Sequence, residues 1–484
     1  MKNILTILLF LFSSSVFSQT ELGAFNLTGS GYSTTSATDY QCLGINPANL
    51  GWTWNDKKIN LGLLESGASI YSEPLNRQQV MGDMFSNDLV LSMQERKDAA
   101  SEFKDKRISS NVALTWFGFS YQNDKFGGIA FSIRDKGNWS SVLNEYGARF
   151  LFLGYNDPYF DIKTIEQGDS VGYASNPGLA SVVYKGTSQN FSWTREYNLG
   201  YGRMIMNKEN FSWYGGIGFK FMTTYAGTIY SQDKGDDYNV FSALSPVFEV
   251  EYDEPTPSQI SGSGLKKVGT GWGFDIGTTL LLYNKVKIAV ALNEIGQMKY
   301  NGNVYSGRDV YVWRCDSKGI DNYNIFAQGQ LIVADNPPGD SSMWIGLADK
   351  KYTLPMHLRA GASYRIIDEV EIGTDFYIPL NKYVPGSYEA MVFGFGGRYS
   401  PAKWVELSIG VVTGGKFGTN LPFGVSFFPV KKETTWQVGI ATRDLITFFN
   451  EKTPTVSGAF GFMRFSFGNK NNEVPQPSVG QTGS

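Results

Sequence analysis

The chain has one histidine, His357, and two cysteines, Cys42 and Cys315, among its 484 residues. Metal centres and nucleophile–base pairs usually draw several such side chains into one place, so little of that chemistry is open to this chain. His357 stands alone near the start of a strand-like segment, where a histidine is ordinarily structural. After residue 18 no run of eighteen apolar residues occurs, which excludes a transmembrane helix. Charge of one sign is also missing: 42 Lys and Arg are intermixed with 45 Asp and Glu, leaving no basic face for nucleic acid. The acidic trio Asp233, Asp236 and Asp237 matches no calcium-loop spacing and reads as a solvated loop. Gly271-Trp272-Gly273 and Gly394-Phe395-Gly396-Gly397 lie inside alternating segments with no helix after them, so they read as small strand residues, not phosphate loops. We therefore expect no catalytic residue, metal ligand or cofactor. The two cysteines are read as buried free thiols or, in an oxidising compartment, as a pair.

What the chain does have begins at its start. Lys2 precedes an apolar run from Ile4 to Phe12, and small residues stand at the −1 and −3 places before Gln19, the pattern of a cleaved export signal over residues 1–18. The run is too short to span a bilayer as a helix. Glycine is abundant at 55 residues, and 34 Phe, 27 Tyr and 11 Trp supply aromatics suited to the interfacial girdles of a membrane barrel.

Period-two alternation then runs through segments of about ten residues. Trp272, Phe274, Ile276, Thr278, Leu280 and Leu282 alternate with Gly273, Asp275, Gly277 and Thr279. Val370, Ile372, Thr374 and Phe376 alternate with Glu371, Gly373 and Asp375. The pattern predicts strands at 57–64, 109–121, 126–134, 191–206, 211–230, 268–283, 285–297, 355–366, 369–379, 388–399, 404–413, 419–428, 434–442 and 457–467. A soluble sandwich also alternates, so the connections decide. Tight turns near Asp124, Asn284 and Pro401 alternate with longer loops near Ser170, Gly262 and Ser341. That is the arrangement of an outer-membrane barrel, with short periplasmic turns, long extracellular loops and both termini periplasmic. The expected fold is all-β: a 14-stranded antiparallel transmembrane β-barrel over 57–468. About 75–106 reads as a helical insertion in the first loop, and 469–484 as a disordered periplasmic tail.

Residues 19–56 are too polar for a lipid-facing strand pair and are expected to fold back as a hatch or plug in the lumen. They contain Asn46-Pro47-Ala48, where the proline fixes φ and the alanine permits close packing. At this point the chain resembles the FadL-like family of outer-membrane barrels, which carries an Asn-Pro-Ala motif in its N-terminal hatch. Thr353-Leu354-Pro355 followed by Arg359, Gly361 and Tyr364 is similar to that family's late strand, and the strand number agrees. Trp436-Gln437-Val438-Gly439, Arg443-Asp444 and Gly461-Phe462-Met463-Arg464-Phe465 look closer to a branch of unassigned function. The resemblance implies passage or binding of hydrophobic small molecules across the outer membrane. The type IX secretion shuttle barrel has a similar fold, so the alternative is a non-transporting structural or shuttle subunit of a secretion or assembly complex. The partners implied are outer-membrane lipid, a hydrophobic ligand and, in the alternative, complex proteins. Lumen candidates are Arg359, Arg365, Asp375, Arg398 and Glu406, read as ion pairs in the first instance and as a ligand clamp in the second.

Overall fold

Large apolar side chains point away from the interior of this molecule, and charged ones point into it. In Gly269–Leu282, Phe274 and Ile276 are 45 % and 55 % exposed, while Asp275 between them is 3 % exposed. Ile217, Ile288, Phe395 and Ile409 stand outside in the same way, and Lys220, Lys287, Arg398 and Glu406 are buried within. Such an inversion suits a wall whose outer face meets hydrocarbon. The computed structural model describes residues 22–52, 57–86, 88–123, 125–232, 238–252, 254–324, 343–388, 390–431 and 434–469. The expected signal at 1–18, Asp124, the acidic trio at 233–237, Ser341 and the tail from 470 lie outside them.

Fourteen long strands build the wall: β1 Lys57–Ser72, β2 Arg107–Asn123, β3 Gly127–Val142, β4 Ser188–Lys208, β5 Phe211–Gln232, β6 Gly269–Leu282 and β7 Val286–Tyr300, then β8 His357–Ile367, β9 Val370–Pro379, β10 Val392–Ala402, β11 Val405–Gly414, β12 Phe423–Lys431, β13 Thr435–Thr442 and β14 Thr455–Asn469. Each pairs antiparallel with the next. β14 returns to β1 with Leu61 opposite Phe465 and Ala68 opposite Gly458, so the barrel is closed and leaves no open edge in the membrane. No helix among the described residues is long and apolar enough to cross a membrane.

Several strands outrun the alternation that revealed them. β1 continues to Ser72 where a strand end was expected at 64, and β3 to Val142 where it was expected at 134. Their far ends rise above the apolar band, where both faces meet polar partners and the period-two signal fades. Asp135 marks that level. It accepts two 2.7 Å bonds from Arg195 on the outer face, and the Trp116 indole donates to it at 3.0 Å. At the other end the connections are tight: Tyr283 and Asn284 both take positive φ (52° and 55°), and Lys285 N–H donates to Leu282 O at 3.0 Å. That two-residue turn matches the twist of the strands it joins, and an asparagine suits it.

The long loops pack on one another as a cap. The first carries α1 Arg77–Met81 and α2 Met93–Phe103, and the second carries α3 Glu145–Leu153. Ser92 and Glu95 form a capping box that starts α2. Phe103 meets the Phe152 ring edge-on at 4.9 Å, and Arg96 Nε donates to Phe152 O at 2.5 Å, tying α2 to α3. Short strands at 238–244, 304–307 and 344–347 extend the wall outward, and the alternation did not reveal them.

Candidate functional site

Residues 22–52, almost all of them buried, pack against inward-facing residues of the wall. Asn46 caps a single 3-10 turn, Pro47–Gly51, with its Oδ1 accepting from Ala48 N–H at 3.2 Å, and Pro47 occupies the first position, where it loses no hydrogen bond. The Asn46 amide also donates to Thr34 O at 3.2 Å and to Thr279 Oγ1 of β6 at 2.8 Å. Asn49 accepts from that same hydroxyl at 2.9 Å. The wall makes room for this turn with glycine. A Cβ on Gly277 would stand 2.0 Å from Asn46 Oδ1, one on Gly216 would stand 2.4 Å from Ala48 N, and one on Gly202 2.4 Å from Pro47 O. Across the lumen, Gly394 meets the Gly31 carbonyl and Gly373 meets the Tyr32 ring in the same way. Much of the glycine content is thus spent on a backbone pressed against the inner wall.

Charges on the wall hold the segment on every side. Arg464 of β14 pairs with Asp39 and lies over the rings of Phe25 and Tyr40 at 5.0 and 5.7 Å. The Tyr40 hydroxyl donates to Glu65, which also accepts from Gln41 at 3.2 Å. Arg134 donates to Leu43 O at 2.8 Å, and Asn293 to Ile45 O at 3.0 Å. Among the residues singled out from sequence, Arg359 and Asp375 face each other at 3.8 Å over Ser33, whose N–H donates to Asp375 at 3.0 Å. Arg398 lies 3.3 Å from Glu371, which also accepts from Lys287 at 2.9 Å. Arg365, with Arg398 and Glu406, lines a space of about 760 Å³ at the short-turn end. The five candidates therefore do not converge on one clamp: two seat the segment at Ser33, and three border the short-turn mouth. Nor do they hold the Asn46 side chain, which is taken by Thr34, Asn49 and Thr279.

On the cap side of the segment lies a cavity of about 120 Å³ that reaches Gly44. Met222, Met298, Tyr300, Leu354 and Tyr377 form its apolar wall, and Asn111, Lys136, Glu196, Glu294 and His357 its polar one. Lys136 pairs with Glu196 at 3.1 Å; Lys220, fully buried beneath, pairs with Glu294 at 2.6 Å and with Asp275 at 3.3 Å. Glu294 enters the lumen through an irregularity in β7, where pairing with β6 slips between Leu292 and Ile295 and Glu294 takes φ 62°.

From β1 to β12 the chain matches a family model of unknown function, DUF5723, over residues 55–431. The chain belongs to that family. No curated protein matches it. Among solved structures, the Pseudomonas putida toluene transporter TodX aligns at 12 % identity and TM-score 0.41, covering 94 % of this chain and 99 % of its own. The Ralstonia pickettii toluene transporter TbuX aligns at 10 % and 0.42, covering 95 % and 100 %. A Pseudomonas aeruginosa FadL homologue aligns at 11 % and 0.42, covering 93 % and 99 %. The architecture of the DUF5723 chain rests on its own strand pairing and not on these distant likenesses.

The cavity of this DUF5723 protein escaped the sequence reading, apart from His357. Its ring Nδ1 lies 3.0 Å from the Pro355 carbonyl and the ring stacks on Tyr377 at 4.2 Å, a structural setting for a residue that lines the cavity. Lys220 and Glu196 were findable as charges at inward positions of alternating strands. Glu294 was not, because a bulge resets the phase of its strand.

Proposed function

We propose that this DUF5723 barrel binds small, largely apolar molecules in the cavity beneath its cap. It passes them across the outer membrane when residues 22–52 move aside. The observation that carries the reading is a half-apolar cavity seated directly on a lumen-filling segment. That segment is bound to the wall by side-chain contacts and adds no strand to it. The FadL-like resemblance of Asn46-Pro47-Ala48 supports the same reading, with the tight turns periplasmic and the cap outside. Asn46, Pro47 and Ala48 act in it as the hinge-side anchor of a hatch. Arg359 and Asp375 are the hatch seat, and Arg365, Arg398 and Glu406 border the exit.

The test is to fill the cavity without touching the hatch. Met298→Trp is expected to cut uptake of a hydrophobic fluorescent probe such as N-phenylnaphthylamine several-fold in cells, with surface abundance unchanged. Uptake equal to that of the native barrel removes the cavity from the path. A second reading, a subunit of an outer-membrane complex, is favoured by Phe85, Val90 and Phe449, which the cap exposes to solvent. Purification in mild detergent separates the two: a stoichiometric protein partner supports the subunit, and a bound small amphiphile supports the channel.

A further inference from the structure

Inward cations of this barrel ordinarily meet a carboxylate: Arg464 meets Asp39, Arg359 meets Asp375, Lys220 meets Glu294 and Lys136 meets Glu196. One place departs from that rule. At the short-turn end, beside β3 to β8, lies a space of about 480 Å³. Lys125, Arg203, Lys287 and Arg365 line it, and no acidic residue among the described residues does. The adjoining space of about 760 Å³ shares Arg365 but sets Asp368, Glu369 and Glu406 beside its cations, so the imbalance is local. Lys287 does reach a carboxylate, Glu371 at 2.9 Å, but Glu371 is not part of the lining and is shared with Arg398 at 3.3 Å. Lys125 and Arg203 are exposed and form no ion pair among the described residues. The end of the 22–52 segment closes one side: Trp52 lines the space, and the Lys287 ammonium stands 4.6 Å over its ring. A Cβ on Gly51 would stand 2.7 Å from the Arg203 carbonyl carbon, so the segment's backbone rests on β4 there. β4 itself runs to Lys208, past its last pairing with β3 at Gly202 opposite Gly128, and Arg203 and Met204 lie beyond that ladder. Trp52, Phe126, Met204 and Leu281 give the space an apolar share, and Tyr214, Thr279 and Asn284 add neutral polar groups.

We propose that this space binds an anionic, phosphate-bearing amphiphile, its head held by Lys125, Arg203 and Arg365 and its apolar part by Trp52, Phe126 and Leu281. Charges of one sign gathered in a concave site raise the local concentration of the opposite ion. Guanidinium and ammonium groups together suit a phosphate, which offers more acceptor oxygens than a carboxylate. The volume lies within the ~300–1,000 Å³ of small-molecule sites, room for more than a bare ion. Two sources offer this chemistry: the head of an anionic lipid in the adjoining leaflet, and a soluble phosphate ester. Because Trp52 belongs to the segment and the cations belong to the wall, the bound molecule bridges the two. The site is separate from the cavity beneath the cap and does not depend on what that cavity carries.

Calorimetric titration of the full-length protein in a neutral detergent tests it, with two pairs of probes. Phenyl phosphate is set against phenol, and dihexanoyl phosphatidylglycerol against dihexanoyl phosphatidylcholine, so each pair shares its apolar part and differs in net charge. In at least one pair the anionic member is expected to bind at least about tenfold more tightly than its net-neutral partner. A preference confined to the lipid pair names a lipid head as the source, and one confined to the phenyl pair names a soluble ester. Both keep the site. Lys125→Gln combined with Arg203→Gln removes two exposed cations and should cut the preference several-fold, in protein that still shows heat-modifiable migration. Should the double variant misfold, Arg203→Gln alone is read in the same way. Anionic and neutral members binding alike in both pairs, or no binding by any of the four, overturns the proposal. So does a preference unchanged in the variant, because the cations named are then not its source.

Discussion

Gly277 shows how much one missing methyl group decides. Its inward face touches the cap of the Asn46 turn, so Gly277→Leu must displace either the strand or the segment. The strand is held by ladders on both sides, so the segment gives way, at a cost of about 1–3 kcal/mol for overpacking. The expected outcome is faster proteolysis within 22–52 of an otherwise heat-modifiable barrel. A protected segment would show that the turn has slack the contacts do not reveal. Arg464 is the matching case for charge. Arg464→Met leaves Asp39 and Glu65 buried without their cation, a loss of about 3–5 kcal/mol. Hydrogen exchange should rise across 22–52, and Asp39→Asn added to it should restore part of the protection. Cys315 offers a third check, in the cap. Burial pushes its thiol up to about 12, so the reactive thiolate is scarce at pH 8. Cys42 is fully buried in the lumen segment, and both cysteines are free. Neither should react with a maleimide in native protein, and both should react after denaturation. Rapid labelling of the native chain would contradict the packing of the cap or the lumen.

Elements were far more legible than the contacts between them. The membrane imposes one rule on every strand, apolar outward and small or polar inward, so most of the fourteen wall strands announced themselves by period two, with β1 and β14 alternating poorly. The rule stops where the wall leaves the bilayer. β1 and β3 were therefore read too short, and the outer strands at 238–244, 304–307 and 344–347 left no alternating trace. The same phase placed Arg359, Asp375 and Arg398 inside, because each alternates with outward residues such as Leu358, Phe376 and Tyr399. What they touch depended on where the 22–52 segment lies, and no local pattern reports that. The cavity was hidden for a related reason: it draws its lining from seven strands and the loops above them, each strand contributing one to three residues. The order of turns and loops does give a test at this scale. Cysteines at Ser170 and Ser263 are expected to label on intact cells with an impermeant maleimide, and cysteines at Lys285 and Pro401 only after the outer membrane is opened. All four positions are exposed, so silence reports side and not burial. Equal labelling of both pairs contradicts the assignment of the tight turns to the periplasm.

For the whole molecule, the decisive property is that the wall does not need its contents in the way a soluble core does. Hydrogen-bond ladders close the barrel from β1 round to β14, and none of the pairings that close it involves residues 22–52. Emptying a soluble protein would expose apolar surface, at about 25 cal/mol for each Å². Emptying this barrel instead exposes Glu65, Arg134, Lys287, Arg359, Glu371, Asp375 and Arg464, which water solvates well. The charges that bind the segment are therefore also what lets the wall survive without it. Deleting residues 22–50 is expected to leave a heat-modifiable barrel that conducts ions in planar bilayers, where the native protein stays silent. The glycines that cradle the segment would then line a wide bore, and because wall charges of both signs remain, the current should be ohmic and only weakly selective. The permeability of cells to bulky antibiotics should rise with it. A folded deletion variant that stays silent would mean that the cap, and not residues 22–52, seals the barrel. One that no longer folds would mean that the segment is part of the core, and the hatch reading would have to be given up.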